Sequence, residues 1–218
     1  MKYLIPLLTL ILVSCTAVKV TPREIVQTRP YPAVGVLYQD GWAICTLTLI
    51  DERVVLTAAH CVATLGNYTV GLGSDHYAVA DITPHPAWDG HWIGDIALLT
   101  LGSSPPITPI PHARTPVSLT DFAKRIVIVG RATPKVLWED FWIVGSLGGT
   151  DMIMWPDATN WIKYGDSGGP VLWDGCVGGV THGYFYDNKV QPRWTLGLST
   201  DVGIFTEWID DYIGESGT

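Results

Sequence analysis

Apolar positions along the chain fall into many short runs separated by glycine, proline and polar turns. The segment from Cys45 to Cys61, CTLTLIDERVVLTAAHC, alternates apolar and polar positions, breaks at Asp51-Glu52-Arg53 and resumes as a second apolar run. Period-two alternation marks a half-buried strand, so this segment predicts a β-hairpin whose ends come together. Ile96-Ala97-Leu98-Leu99 is apolar enough for a buried strand, and Val171-Leu172-Trp173 reads as a strand entering a core. Near the C-terminus, Phe205, Trp208, Ile209, Tyr212 and Ile213 stand at i, i+3, i+4, i+7 and i+8, the spacing of a helix docking one face. The pattern predicts an all-β protein with a C-terminal helix. The Pro-rich stretch 102–116, GSSPPITPIPHARTP, is a connector, and no internal repeat or low-complexity segment is visible.

The first residues follow a different pattern. Lys2 and the apolar run Tyr3 to Val13 have the layout of a secretory signal, predicting a signal peptide over residues 1–14 and a tether over 15–24. The segment ends in Leu12-Val13-Ser14-Cys15, which resembles a bacterial lipobox and marks Cys15 for lipidation and membrane attachment. Pro6 and a length short of the roughly 20 residues of a spanning helix argue against a retained transmembrane anchor. Ordinary secretion after signal cleavage is the remaining alternative. Each route places the mature chain outside the cytoplasm, as a periplasmic or cell-surface lipoprotein or a secreted protein.

Composition narrows this further. The 218 residues, 47% of them hydrophobic, suffice for one or two compact domains. A net charge of −8 without a Lys/Arg cluster excludes nucleic acid as an expected partner. An exported compartment permits disulfides, and the hairpin makes Cys45 and Cys61 the expected pair. Cys176 is then odd and reads as a small buried apolar residue.

Between the apolar runs lie groups that carry chemistry. GDSGGP, residues 165–170, sets Ser167 on a tight loop at the start of a strand, where small residues free backbone N–H groups to converge on a negative charge. Taken alone it is also a plain turn sequence. A serine nucleophile needs a base, and His60 sits among small residues in Thr57-Ala58-Ala59-His60-Cys61. Asp95 directly precedes the apolar run 96–99, where a shielded carboxylate is suited to orient an imidazole.

TAAHC, the HP-x-aromatic lead into DIALL, and GDSGGP, in that order, resemble the three signatures of the chymotrypsin-like (trypsin-family) serine proteases. The 16-residue step from Cys45 to Cys61 resembles the family's His-loop bridge, and the likeness runs from about residue 25 to residue 213. The resemblance implies two six-stranded antiparallel β-barrels packed together with a C-terminal helix, the N-terminal barrel over 25–110 and the C-terminal barrel over 111–218. It implies His60 as general base and acid, Asp95 as its orienting partner and Ser167 as nucleophile. The N–H groups of Gly165 and Ser167 would form the oxyanion hole, and Asp166 would be a buried structural carboxylate paired with a cation. Ile25-Val26 lacks the preceding basic residue of the family's activation site, which points to an internal cation instead.

The substrate pocket follows by the same route. Trp161, six residues before Ser167, falls at the pocket floor; Thr181, His182 and Gly183 fall on the substrate-binding strand; Gly183 and Gly197 match wall positions where glycine leaves the pocket open. An indole on the floor offers no counter-charge, so cleavage after Arg or Lys is not expected, and small-to-medium apolar side chains are. No cofactor or metal is expected: His85, Asp89, His91 and Asp95 are of zinc-binding type, but the family places the HP dipeptide in this loop without metal. The expected activity is that of a serine endopeptidase acting on protein or peptide substrates; a monomer is expected, with the oligomeric state otherwise open. A protease-fold binding protein without turnover is the alternative.

Overall fold

The structure is a computed structural model that describes residues 31–122, 124–130, 137–147, 149–156, 162–187 and 194–216. The expected signal peptide 1–14, Cys15, the tether 15–24 and Trp161 lie outside the described residues. Six strands form the first barrel: β1 (Val34–Gln39), β2 (Trp42–Leu49), β3 (Val54–Thr57), β4 (Tyr68–Leu72), β5 (Asp75–Pro84) and β6 (Ala97–Leu101). Six more form the second: β7 (Arg125–Gly130), β8 (Leu137–Leu147), β9 (Asp151–Pro156), β10 (Pro170–Trp173), β11 (Cys176–Asp187) and β12 (Trp194–Asp201). Each set closes on itself with antiparallel pairing, in the orders β1-β2-β3-β6-β5-β4 and β10-β11-β12-β9-β8-β7. Among the described residues, closure pairs both edge strands of each sheet. The expected all-β architecture of two barrels and a C-terminal helix is met.

Sequence dictates the local turns. At Asp40-Gly41, φ is 50° and 85°, and at Asp174-Gly175 it is 51° and 81°. Two successive residues with positive φ make the tight hairpin turn that suits twisted strands, and Asp-Gly is a favoured pair for it. Between β2 and β3 the Asp51–Arg53 turn sets Thr48 opposite Leu56 and Leu49 opposite Val55, as the alternation predicts.

Leu37, Leu47, Leu49, Leu56, Leu72, Leu98, Leu99 and Leu101, on both faces of the first barrel's strands, are all essentially inaccessible. Burying each such side chain contributes about 1.5–3 kcal/mol. A separate cluster of Ile126, Ile128, Ile143, Met152, Met154, Ile162 and Val171 fills the second barrel. After β12, a short 3-10 turn (Val202–Phe205) leads into helix α1 (Thr206–Ser216), with the Asp201 carboxylate accepting the Gly203 N–H at its start. Helix α1 buries Ile209 and lays Trp208, Tyr212 and Ile213 against the core that includes the first barrel. The Tyr212 hydroxyl reaches Thr100 Oγ1 at 2.8 Å, so the C-terminal helix straps the second half of the chain to the first.

Strand β11 carries a bulge. Thr181 pairs with Ser199 and Gly183 with Leu198, so His182 is the extra residue between them.

Cys45 and Cys61 form a disulfide across the base of the hairpin. Cys176 is buried, as expected, but it is disulfide-bonded rather than an unpaired apolar filler. Its partner is not among the described residues, because the other two described cysteines are joined to each other.

The Cys45–Cys61 bridge spans 16 residues, a loop length that gives about 3 kcal/mol of stabilisation by restricting the unfolded chain. Denaturant melts of a Cys45→Ala/Cys61→Ala double variant should show a loss of that order. An unchanged midpoint would mean that the hairpin closes equally well without the bond.

Candidate active site

Strand β3 ends at Thr57, and a short 3-10 turn (Ala59–Val62) carries His60 out of the barrel beside the bridged Cys61. Asp95 stands just before β6 and is 1% exposed. Two bonds lock the pair: the His60 backbone N–H donates to Asp95 Oδ1 at 2.8 Å, and His60 Nδ1 donates to Oδ2 at 2.6 Å. The backbone bond fixes where the carboxylate sits relative to the histidine, and the side-chain bond fixes the ring tautomer. With Nδ1 donating, Nε2 is left as the acceptor; Cys61 Sγ stands 3.6 Å from it, and the His60 side chain is 37% exposed. The carbonyl oxygen of Asp95 accepts from Thr200 Oγ1 at 3.1 Å, tying the residue to β12 of the other barrel.

Ser167 lies on the loop entering β10, and that loop is held against the first barrel. Thr46 N–H donates to the Ser167 carbonyl at 2.8 Å, and Thr46 Oγ1 donates to the Gly165 carbonyl at 2.8 Å. Thr57 Oγ1 donates to the Thr46 carbonyl at 2.9 Å. Gly168 has φ of 80°, and a Cβ there would stand 2.1 Å from Thr57 Oγ1 and 2.2 Å from the Thr46 carbonyl oxygen. Only glycine permits this approach. Thr57 is three residues before His60, so the contact places the serine loop beside the histidine turn. Among the described residues, the N–H groups of Gly165 and Ser167 donate to no other group.

Asp166, between them, points inward. Its Oδ2 accepts the Lys163 N–H at 2.8 Å, while the buried Oδ1 has no hydrogen-bond partner among the described residues. Gly130 permits the carboxyl to sit there, since a Cβ would fall 1.9 Å from Oδ1. Burial pushes the Asp166 carboxyl up to about 6, against which the Lys163 N–H bond and charge act only partially. No cationic partner meets it among the described residues, unlike the paired carboxylate that the resemblance implies.

Thr181 and His182 are buried on β11, directly behind the serine loop: the Gly168 N–H donates to the Thr181 carbonyl at 2.6 Å. The His182 ring meets Trp92 edge-on at 5.7 Å, and its Nε2 lies 3.5 Å from Asp151 Oδ1. A Cβ on Gly183 would stand 3.0 Å from the Trp92 ring. At Gly197 the expected open wall is instead occupied: a Cβ would lie 2.6 Å from Ile162 Cδ1 and 3.0 Å from Met154 Cε. Apolar side chains packed from β9 and from the segment after Trp161 fill that space. His85 packs between the rings of Phe205 and Trp208. It is not gathered with Asp89, His91 and Asp95 into a ligand cluster among the described residues.

Residue spacing alone did not point to Thr46, Thr57, Trp92 or Asp151. Thr46 and Gly165 are 119 positions apart, and only closure of both barrels brings them together. Trp92 carried a signal in its place three residues before Asp95, on the same loop.

The comparisons bear on the same region. A family model described as Trypsin matches residues 23–140, more than half of the chain. Among solved structures, mouse neuropsin, a serine protease expressed in the limbic system of the brain, is 24% identical with a TM-score of 0.69, over 84% of this chain and 95% of that one. Human heparin binding protein is 19% identical with a TM-score of 0.72, over 84% of this chain and 92% of that one.

Asp166 makes the stability of the protein depend on pH. A folded-state value of about 6, raised from 3.8, means that its contribution is fully present below pH 3.8 and lost as pH rises through 6. The loss is about 3 kcal/mol at roughly 1.4 kcal/mol per unit. Asp166→Asn should therefore be more stable than wild type at pH 8, with the difference vanishing by pH 4. Parallel pH dependences in denaturant melts of the two proteins would show that a cation neutralises the carboxylate.

Proposed function

The chain belongs to the trypsin family, and on that premise we propose that it is a serine endopeptidase that hydrolyses peptide bonds through an acyl-enzyme on Ser167. The observation that carries this reading is the pair of hydrogen bonds from His60 to Asp95, which leaves Nε2 as the acceptor on a turn beside the serine loop. In the proposed reaction, Ser167 Oγ attacks the scissile carbonyl carbon while His60 Nε2 takes its proton. Asp95 holds the ring and stabilises the imidazolium that forms. The unused N–H groups of Gly165 and Ser167 stabilise the oxyanion of the tetrahedral intermediate. His60 then returns the proton to the leaving amine, and a water activated by the same nitrogen releases the acyl group.

Substrate choice follows from the walls. Ile162 and Met154 beside Gly197 make this side of the pocket apolar, and among the described residues no acidic side chain is one of the atoms nearest to a Cβ at that position. This supports a preference for small-to-medium apolar residues before the cleaved bond, the reading drawn from Trp161. An unpaired guanidinium buried there would cost several kcal/mol.

The apolar leader and the oxidised cysteines support export. Lipidation at Cys15 is the finer reading of the leader. The chain holds four cysteines, so a thioether on Cys15 and an intramolecular bridge at Cys176 draw on the same sulfur. Intact mass of the mature chain decides: a diacylglyceryl mass on Cys15 supports the anchor, and an unmodified Cys15 removes it. A binding protein without turnover is the competing reading. One solved structure of this fold is a heparin binding protein by name, but a net charge of −8 is of the wrong sign for a polyanion.

Ser167→Ala and His60→Ala should each lower peptide hydrolysis by about 10⁶-fold with the fold retained, because members of such a triad act as a unit. A fluorophosphonate probe should label wild type and not Ser167→Ala. Equal labelling of both, or none of wild type, would refute the mechanism. In a peptide library, dominant cleavage after Arg or Lys would refute the pocket assignment.

A further inference from the structure

The bridge beside His60 has a second chemistry. The sulfurs of Cys45 and Cys61 and a ring nitrogen of His60 lie within 4.8 Å of one another. Cys61 Sγ stands 3.6 Å from His60 Nε2. In a tetrahedral zinc site, bonds of about 2.3 Å to sulfur and 2.0–2.1 Å to nitrogen put those two atoms about 3.5 Å apart. The present separation therefore already fits two ligands of one ion. The ring is also prepared as a ligand: Nδ1 donates to Asp95 Oδ2 at 2.6 Å, the carboxylate–histidine arrangement that fixes the tautomer of zinc-binding imidazoles and raises their basicity. Both cysteines are buried and His60 is partly exposed, so the ion would bind with its open position toward the cleft.

We propose that reduction of the Cys45–Cys61 bridge creates a zinc site of two thiolates and His60 Nε2, which switches the protein off by occupying its base. The metal site rests on the Cys61–His60 separation and on the two sulfurs, bonded to each other here, parting once reduced; the loss of activity rests on the endopeptidase reading. A dithiol reductant breaks the S–S bond and becomes a disulfide itself, delivering two electrons and two protons and leaving two thiols. Zn²⁺ then forms two Zn–S bonds and one Zn–N bond, with water in the fourth position, and two thiol protons are released. The lone pair that would accept the Ser167 proton is held by the metal. In the oxidised protein neither sulfur is a thiolate, so the bridge keeps the base free of soft metal ions.

The test uses the full chain, reduced with a phosphine that leaves no competing thiol. Co²⁺ added to reduced wild type should give sulfur-to-cobalt charge-transfer absorption and the visible bands of a tetrahedral ion. These should be absent in the oxidised protein and weakened and shifted in His60→Ala. One equivalent of Zn²⁺ should lower hydrolysis by reduced wild type to the level of His60→Ala, reversibly with a chelator, and leave the oxidised protein active. A Cys45→Ser/Cys61→Ser variant should retain hydrolysis in the presence of zinc; should it not fold, the cobalt spectra of wild type and His60→Ala carry the decision. Absence of the sulfur band in reduced wild type, its persistence in the double serine variant, or equal inhibition of oxidised and reduced protein would overturn the proposal. Failure of oxidised wild type to label with fluorophosphonate would overturn the endopeptidase reading while the cobalt result still decides the metal site.

Discussion

The approach of Gly168 to Thr46 and Thr57 is the contact on which the rest of the site depends. Here the backbone of the second barrel's serine loop comes so near the first barrel that no side chain fits between them. Two hydrogen bonds from Thr46 hold it there, and Thr57 braces Thr46 from within the first barrel. Their partners are backbone carbonyls or a backbone N–H, so the spacing is set by covalent geometry rather than by flexible side chains. A threonine hydroxyl in this role is stiff at χ1, which suits a fixed junction. Thr200 adds a bond from β12 to the Asp95 carbonyl, so the histidine's carboxylate is also held by both barrels. A reaction centre shared between two barrels needs such rigid joints, because an error of about 1 Å is costly in catalysis.

Much of this was legible in the sequence, for identifiable reasons. The hairpin between Cys45 and Cys61 follows from period-two alternation interrupted by three polar residues, and the C-terminal helix from its five apolar positions. Asp40-Gly41 and Asp174-Gly175 are turns that the pattern reading passed over, although two positive φ angles in a row suit few other pairs. What could not be read was long-range. Thr46 is an ordinary strand residue until the barrels meet, and Met154 packs on Gly197 only because β9 pairs with β12. The bridge at Cys176 was missed because counting cysteines under an assumed lipid on Cys15 leaves that residue alone. Pairing is a property of space, and the count contained no such information.

Two buried carboxyls, Asp166 and Asp201, set a shared electrostatic constraint. Each is pushed up to about 6 by burial, and each is partially compensated by backbone N–H groups: Lys163 for the first, Val117 and Gly203 for the second. Asp201 has a full set of partners and joins the connector to the start of the last turn before α1. Asp166 leaves one oxygen without a partner. The contrast separates a carboxyl used as a structural clamp from one whose environment is incomplete among the described residues.

The bulge at His182 has a bearing on how the cleft can change over time. Along most of β11, removing one residue would turn every later side chain to the opposite face of the sheet. His182 has no cross-strand counterpart of its own, and Thr181 and Gly183 already face consecutive residues of β12. Deleting it would restore a regular ladder with Ser199, Leu198 and Gly197 still opposite the same neighbours. Strand β11 thus has one position whose presence is uncoupled from the register of the barrel. A residue can be gained or lost there without refolding the strands on either side, whereas its buried side chain, packed on Trp92, is not free to take on charge.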